Sequence, residues 1–193
     1  MIADKTASAR HVAADLLAQA EHDEMASAVL LTPDEGLAKE VLYEIKAQLE
    51  TLSRKSIATG SLETFGAIFL TRDMNEAVEI ANRFAPEHLE LMVENPRDML
   101  PKIKHAGAVF LGHHTPETLG DYIAGTNHIL PTGGTARFAS PLGVYDFVKR
   151  SSVLSFSAEA LQKYGHQAAH FAEMEGLDAH ARSVTVRIGR KKP

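Results

Sequence analysis

Three four-residue apolar runs, at 28–31, 67–70 and 108–111, alternate with segments whose apolar residues recur at helical spacing. Runs this short and this apolar are typical of strands buried in a parallel sheet. Right-handed crossovers between such strands would place helices on both faces. The sequence therefore predicts an α/β fold with a mostly parallel sheet and helices on both faces. In this class, sites gather at the carboxyl ends of the strands.

Further elements follow from the same spacing of apolar residues. We expect helices over 8–22, 37–49 and 77–84, a strand over 88–93, and a short helix after Asn95. The segment 32–35 (Thr-Pro-Asp-Glu) predicts a capping box with Pro33 at the first helical position. Phe84 is expected on the buried side of its helix. Residues 1–4 resemble the end of a strand, so we expect further chain upstream of them.

Composition excludes several classes of protein. Hydrophobic residues make up 45% of the 193 residues, the balance of a globular protein with a core. A net charge of −5 argues against nucleic acid as a partner, and no apolar run approaches the about 20 residues of a membrane span. The absence of cysteine excludes disulfides and thiolate catalysis, suits a reducing compartment, and leads us to expect a cytoplasmic location.

The texture of the chain changes after the last predicted strand. Residues 112–143 are rich in Gly, Thr, Pro and His without clear periodicity, which is typical of a functional loop region. Helical spacing returns beyond it, with Ser157 as a predicted N-cap and Gly176 at the helix end, before a basic tail at 189–192. We therefore expect an α/β domain over 1–142 and a small helical domain over 143–193.

Two pairs of residues could carry chemistry. Gln19 and His22 lie three apart on a predicted helix, so they share a face and offer an amide oxygen and an imidazole of the kind zinc accepts. A solvated polar helix end is the commoner outcome for such a pair. Glu87 and His88 offer a carboxylate and an imidazole, the usual groups for moving protons and activating water. The alternative interpretation of this pair is a charged edge of a strand, in which His88 pairs with a neighbouring residue.

The loop at 120–135 is the most suggestive segment. Its glycines and prolines fix backbone shape, while Asp121, Asn127 and His128 supply possible ligands and hydrogen-bonding groups. Together with the two pairs above, this loop favours a metal enzyme over a simple binding module.

Five separate blocks of sequence, in order along the chain, are similar to those of one enzyme family. They lie at 19–22 (Gln-Ala-Glu-His), 85–90 (Ala-Pro-Glu-His-Leu-Glu), 120–128, 130–138 (Leu-Pro-Thr-Gly-Gly-Thr-Ala-Arg-Phe) and 175–180. With them the chain resembles histidinol dehydrogenase over essentially its whole length, but only the C-terminal part of that family's chain. The resemblance implies that residues 1–142 complete a Rossmann-like domain, of which this chain is a part.

For metal binding, the resemblance implies zinc held by Gln19, His22, Asp121 and His180, residues that also border the substrate. Zinc in this family orients the substrate through its imidazole and amino nitrogens. The last of these histidines reaches across from the partner subunit. The resemblance therefore implies a homodimer in which His180, on the helical tail, completes the neighbour's site.

For chemistry, the resemblance implies oxidation of L-histidinol to L-histidine through an aldehyde, with two NAD molecules in succession. Glu87 and His88 match the acid–base pair, and His128 and Glu175 join His88 as substrate contacts. The NAD-binding part of the family's chain lies upstream of the matched region, so we expect this chain alone to be inactive. The alternatives are a non-catalytic zinc- or histidinol-binding remnant and one half of a split enzyme.

Overall fold

The computed structural model describes residues 1–188 and divides the chain into two compact units. The first unit is Met1–Val148 and the second begins at Lys149. The predicted basic tail at 189–192 lies outside the described residues. Within residues 1–188, no helix combines the length and the apolar character that crossing a membrane requires.

A five-stranded parallel sheet forms the centre of the first unit. Its strands are β1 (Ile2–Ala3), β2 (Val29–Thr32), β3 (Ala67–Leu70), β4 (His88–Met92) and β5 (Ala108–Leu111). Their spatial order is β3-β2-β1-β4-β5, so the chain winds outward in both directions from β1. This order is that of a doubly wound, Rossmann-like sheet, and the predicted α/β class is confirmed.

Helices cover both faces of the sheet, as predicted. The helices of the first unit are α1 (Ala9–Ala20), α2 (Glu35–Leu49), α3 (Lys55–Phe65), α4 (Met74–Phe84), α5 (Pro96–Met99) and α6 (Glu117–Tyr122). One core cluster joins α1, α2 and α3 to alternate strand residues, including Ala3 and Met92. The other core cluster joins α4 to the strand residues that alternate with those of the first cluster, including Ile2 and Leu91. This alternation is what the two-residue period of a strand requires.

Several local predictions were wrong. Asp34, not Thr32, caps α2: its side chain accepts from the Leu37 amide at 2.7 Å, and Pro33 therefore precedes the helix. Phe84 is 45% exposed because it lies in the last turn of α4. The run at 67–70 is an edge strand whose last two residues are exposed, rather than a buried one. Apolar composition alone does not distinguish an edge strand from a central one.

Two helices were not predicted. The sequence of α3 contains Ser, Thr and Gly, and only Ala58 and Ser61 are buried in it, so its helical spacing is weak. The segment α6 lies within the region expected to lack regular structure. Its six residues are too few for periodicity to reveal.

Over residues 149–188, the second unit contains two helices, α7 (Ala158–Met174) and α8 (Asp178–Thr185). The Ser157 hydroxyl accepts from the Ala160 amide at 3.1 Å, which confirms the predicted cap. Gly176 follows α7 with φ +72, the left-handed conformation expected at a helix end. A Cβ on Gly165 would lie 2.7 Å from the Ile188 side chain, so glycine allows this close packing.

Candidate functional site

Two neighbouring cavities open where β1, β2 and β4 begin. The larger, of about 590 Å³, is lined by residues that include Gln19, Glu87 and His88. The smaller, of about 60 Å³, also contacts Gln19 and His88, and reaches Glu90 and Glu117. Both lie at the amino ends of the strands. The expectation of a site at the carboxyl ends is therefore wrong for these cavities.

The first residues of β4 place Glu87 and His88 beside the cavities. Ala85 ends α4 in the left-handed conformation, with φ +50, and turns the chain into the strand. The carbonyl of Glu87 accepts from the Ala108 amide at 2.8 Å, which fixes the start of β4 against β5. Gly107 is required at this junction, because a Cβ there would lie 2.6 Å from the Glu87 carbonyl oxygen.

Helix α6 brings two carboxylates over the same strand ends. Gly120 lets the helix lie directly on β5, since a Cβ there would be 2.6 Å from the Phe110 ring. Glu117 and Asp121 are four residues apart and so share the helix face toward the site. The Glu117 Oε1 lies 3.6 Å from His88 Nε2. Asp121 Oδ1 lies 2.5 Å from Nδ1 of His128.

Burial perturbs the acid–base groups of this cluster. Burial lowers the pKa of His88, although the charges of Glu87 and Asp121 oppose the shift. Burial, a hydrogen bond with Asp121 and the charge of Asp121 raise the pKa of Glu117 to about 7. Near neutral pH, His88 is therefore mainly an uncharged base, and the Glu117 carboxyl holds a proton in a substantial fraction of the molecules. Perturbed groups of this kind in a cleft are typical of functional sites.

The same cluster has the chemistry of a metal site. One ligand atom from each of His88, Glu117 and Asp121 lies within 4.8 Å of the others. Within residues 1–188, the buried atoms His88 Nε2 and Glu117 Oε1 have no hydrogen-bond partner. Unpartnered buried polar atoms are costly, and a cation would satisfy both. An imidazole with two carboxylates is a donor set that zinc accepts.

The structure brings together five of the eight residues singled out from sequence. Asp121 and His128 are paired, the His128 ring centroid lies 6.5 Å from that of His88, and Glu87 precedes His88. Gln19 lines both cavities with His88. The role of each residue stays a prediction.

The other three residues are not part of this cluster in the first unit. His22 is exposed just beyond the end of α1, where its carbonyl accepts from Arg54, and its charge contributes to lowering the pKa of His88. Glu175 and His180 belong to the second unit, at the end of α7 and within α8.

The sequence reasoning missed three acidic residues near His88: Asp15, Glu90 and Glu117. Glu117 had a usable signal, because it stands four residues before Asp121 and directly follows Pro116, a frequent start to a helix. Glu90 also had a signal, because it stands two residues after His88 on a predicted strand and so shares its face. Asp15 had none, since nothing local in the sequence indicates that it meets Glu90.

Comparison with known proteins identifies the family of the chain. The family model of histidinol dehydrogenase matches residues 1–188. The histidinol dehydrogenases of Syntrophotalea carbinolica and Wolinella succinogenes are 55% and 57% identical over 188 residues. These matches cover 97% of this chain and 44% of each relative.

The solved structures give the same result. A crystal structure of histidinol dehydrogenase from Elizabethkingia anophelis aligns with a TM-score of 0.88 and 41% identity. The alignment covers 97% of this chain and 43% of that one, so this chain spans less than half the length of its relatives. Because the family model matches nearly every residue, the chain belongs to the histidinol dehydrogenase family.

Proposed function

We propose that this chain forms the zinc- and substrate-binding part of a cytoplasmic histidinol dehydrogenase, which oxidises L-histidinol to L-histidine in two NAD-linked steps. The observation that most supports this is the partly buried imidazole of His88, kept uncharged beside Asp121 and Glu117 at the mouth of a cavity. An uncharged imidazole in that position suits removal of a proton from an alcohol.

The proposed roles follow from the chemistry of each group. His88 Nε2 takes the proton of the substrate hydroxyl, because it is basic at neutral pH and has no hydrogen-bond partner in the part of the chain described. Glu87, the adjacent residue at the same cavity, assists attack of water on the aldehyde in the second oxidation. His128, which approaches from its loop and is held by Asp121, contacts the substrate together with Glu175.

For zinc, we propose Gln19, His22, Asp121 and His180 as ligands. When bound, zinc would orient the substrate through its nitrogen atoms. Asp121 belongs both to this set and to the cluster with His88 and Glu117, which gives it the best structural support. Gln19 borders the same cavity. Asp121 is therefore a ligand in both possible arrangements, that of the four proposed zinc ligands and that of the cluster with His88 and Glu117.

The cofactor is expected to bind outside this chain. NAD would accept the hydride in each oxidation, at a site in the part of the relatives that has no counterpart here. We therefore expect no turnover when the purified 193-residue chain is mixed with histidinol and NAD. The measurement is the absorbance of the NADH formed, and turnover above background would refute this expectation.

We also propose a homodimer in which His180 completes the neighbour's site. Large apolar side chains are exposed over 144–156, among them Val153 at 92% and Leu154 at 78%. Phe171 and Val186, on or next to the two helices of the second unit, are also mostly exposed. Exposed apolar surface of this extent is typical of an interface. Small-angle scattering should report twice the chain mass, and a monomer at every concentration would contradict the dimer.

A complementary test adds a polypeptide equivalent to the part of each relative that lies outside the match. Activity restored by that addition would support the proposed function. Zinc retained at one ion per chain, with histidinol binding but no such rescue, would instead indicate a non-catalytic binding role. Metal analysis and calorimetric titration with histidinol distinguish these outcomes.

A further inference from the structure

Glu90 is a buried acidic residue in the middle of β4. It follows His88 by two residues, so both side chains lie on the same face of the sheet. Only 7% of Glu90 is exposed, and its Oε1 accepts a 3.0 Å hydrogen bond from the backbone amide of Glu117. Glu117 is the first residue of α6. A central strand thus holds the beginning of the helix that presents Glu117 and Asp121.

The Glu90 carboxyl also lies near the Asp15 carboxyl of α1, and both side chains line the smaller cavity. Two such carboxyls can hydrogen-bond to each other only when one of them is protonated. Burial and the charge of Asp15 raise the pKa of Glu90 to about 7, and burial raises the pKa of Asp15. The Met1 amino group also acts on Glu90, although burial lowers its own pKa to about 6.

The proximity of Glu90 to Asp15 links α1, which carries Gln19, to the part of the candidate site that β4 and α6 form. Asp15 stands four residues before Gln19 and so lies one helical turn away on the same side of α1. Gln19, Asp15, Glu90 and Glu117 all line the smaller cavity with His88. A single side chain of β4 therefore contacts both helices that bring polar groups to His88.

We propose that Glu90 is a positioning residue, which fixes α1 and α6 against β4 and so sets the spacing of Gln19, Glu117 and Asp121 around His88. The proposal deepens the proposed function. Its consequence for metal binding rests on that function, whereas the attachment of α6 to β4 does not. A six-residue helix has little stability of its own, and α6 therefore needs such an attachment. A buried carboxyl is costly, and an apolar residue would fill the same space at lower cost.

The test compares Glu90→Gln with Glu90→Leu in the full chain. Glutamine keeps an oxygen for the Glu117 amide and gains an N–H for Asp15, whereas leucine keeps only the volume. Hydrogen exchange of the Glu117 amide, followed by NMR, should be near wild type in Glu90→Gln and about tenfold faster in Glu90→Leu, which is the loss of one hydrogen bond. Amides of α2 should not change.

Asp73→Ala is the matched control, since the Asp73 side chain accepts from the amides of Asn75 and Glu76 at the start of α4. It should speed exchange in α4 and leave α6 unchanged. Equal Glu117 exchange in Glu90→Leu and the wild type would overturn the proposal, and so would faster exchange in Glu90→Gln equal to that in Glu90→Leu.

A second readout uses cobalt(II), whose visible spectrum reports coordination geometry. The spectrum of the bound ion should change in Glu90→Leu and return to the wild-type form in Glu90→Gln. An unchanged spectrum in Glu90→Leu would overturn the proposed effect on the cluster. If the wild-type chain takes up no cobalt, the proposed metal site fails, and the exchange rates still decide whether Glu90 holds α6.

Discussion

The two ends of the parallel strands both gather histidine and carboxyl groups, but they bond them differently. At the carboxyl end, Asp4 accepts from the Thr6 amide at 2.8 Å and from the Glu94 amide at 2.9 Å. The Asp4 carboxylate also accepts a hydrogen bond from the Thr6 hydroxyl. That hydroxyl in turn lies 3.1 Å from Nε2 of His113. At the amino end, His88 and Glu117 keep buried polar atoms without any partner in residues 1–188.

The shifts in pKa follow the same division. Burial acts to raise the pKa of Asp4, but hydrogen bonds from Thr6 and Glu94 hold it below its ordinary value. The pKa of Glu117 is instead raised by burial and by Asp121. A satisfied carboxylate stabilises a fold, whereas an unsatisfied one is available for a ligand. The carboxyl end is therefore expected to contribute to stability, and the amino end to binding.

The largest expected effect is on metal affinity at the amino end. Asp121→Ala and His22→Ala should each weaken zinc binding by about a hundredfold, because each removes a proposed ligand. His113→Ala at the carboxyl end should leave the affinity unchanged. Competition with a chromophoric chelator measures all three. Normal affinity in His22→Ala alone would assign the ion to the cluster of His88, Glu117 and Asp121, and equal losses in His22→Ala and His113→Ala would remove the distinction between the two ends.

The next effect is on stability at the carboxyl end. Asp4→Ala leaves the amides of Thr6 and Glu94 without an acceptor, so the free energy of unfolding should fall by about 1.5 kcal/mol. Urea denaturation of the metal-free chain provides the measurement. Zinc affinity should stay at the wild-type value, and a loss of affinity without loss of stability would reverse the roles assigned to the two ends.

The sequence was sufficient for most of the fold. The four-residue apolar runs located strands, and the helical spacing after them predicted a doubly covered sheet, because both patterns are local. The position of the site was not predictable in this way. The bond between Glu90 and the Glu117 amide joins residues 27 apart, and the approach of α6 to the sheet depends on Gly120 fitting over the Phe110 ring.

The candidate site was predictable only in part, for a related reason. Glu87, His88, Asp121 and His128 could be identified because imidazoles and carboxylates were adjacent or lay in one unusual loop. Their mutual contacts required the loop after β5 to return to the amino ends of the strands. That path is a tertiary feature, and it is also why the expected edge of the sheet was wrong.

A smaller effect concerns the dependence of stability on pH. The pKa of Glu117 rises from its ordinary 4.5 to about 7 on folding, so the folded chain binds more protons in that window, and the contribution of Glu117 to the unfolding free energy falls as pH rises. Glu117→Gln should therefore gain stability relative to the wild type between pH 4.5 and 7, measured by urea denaturation with a chelator present. A constant difference across that window would contradict the shift.

Asp4 is expected to act in the opposite direction. Its pKa is lowered on folding from an ordinary 3.8, so its contribution is present above that pH and is lost as pH falls further. The stability difference between wild type and Asp4→Asn should therefore shrink below pH 3.8 and stay constant above it. A difference that changes between pH 5 and 7 would contradict this assignment.

The smallest expected effect tests an exception at the carboxyl end, where Nδ1 of His113, like the Thr71 hydroxyl, is also buried without a partner in the described chain. The Nε2 of His113 lies close enough to donate to the Thr6 hydroxyl, which itself donates to Asp4. His113→Gln keeps a comparable donor and removes the buried nitrogen. We expect the free energy of unfolding to change by less than about 0.5 kcal/mol, because removal of an unsatisfied atom offsets imperfect replacement of the bond. Urea denaturation measures the change in stability, and a zinc titration of the same variant measures its affinity. A change in zinc affinity would mean that the carboxyl end also takes part in binding.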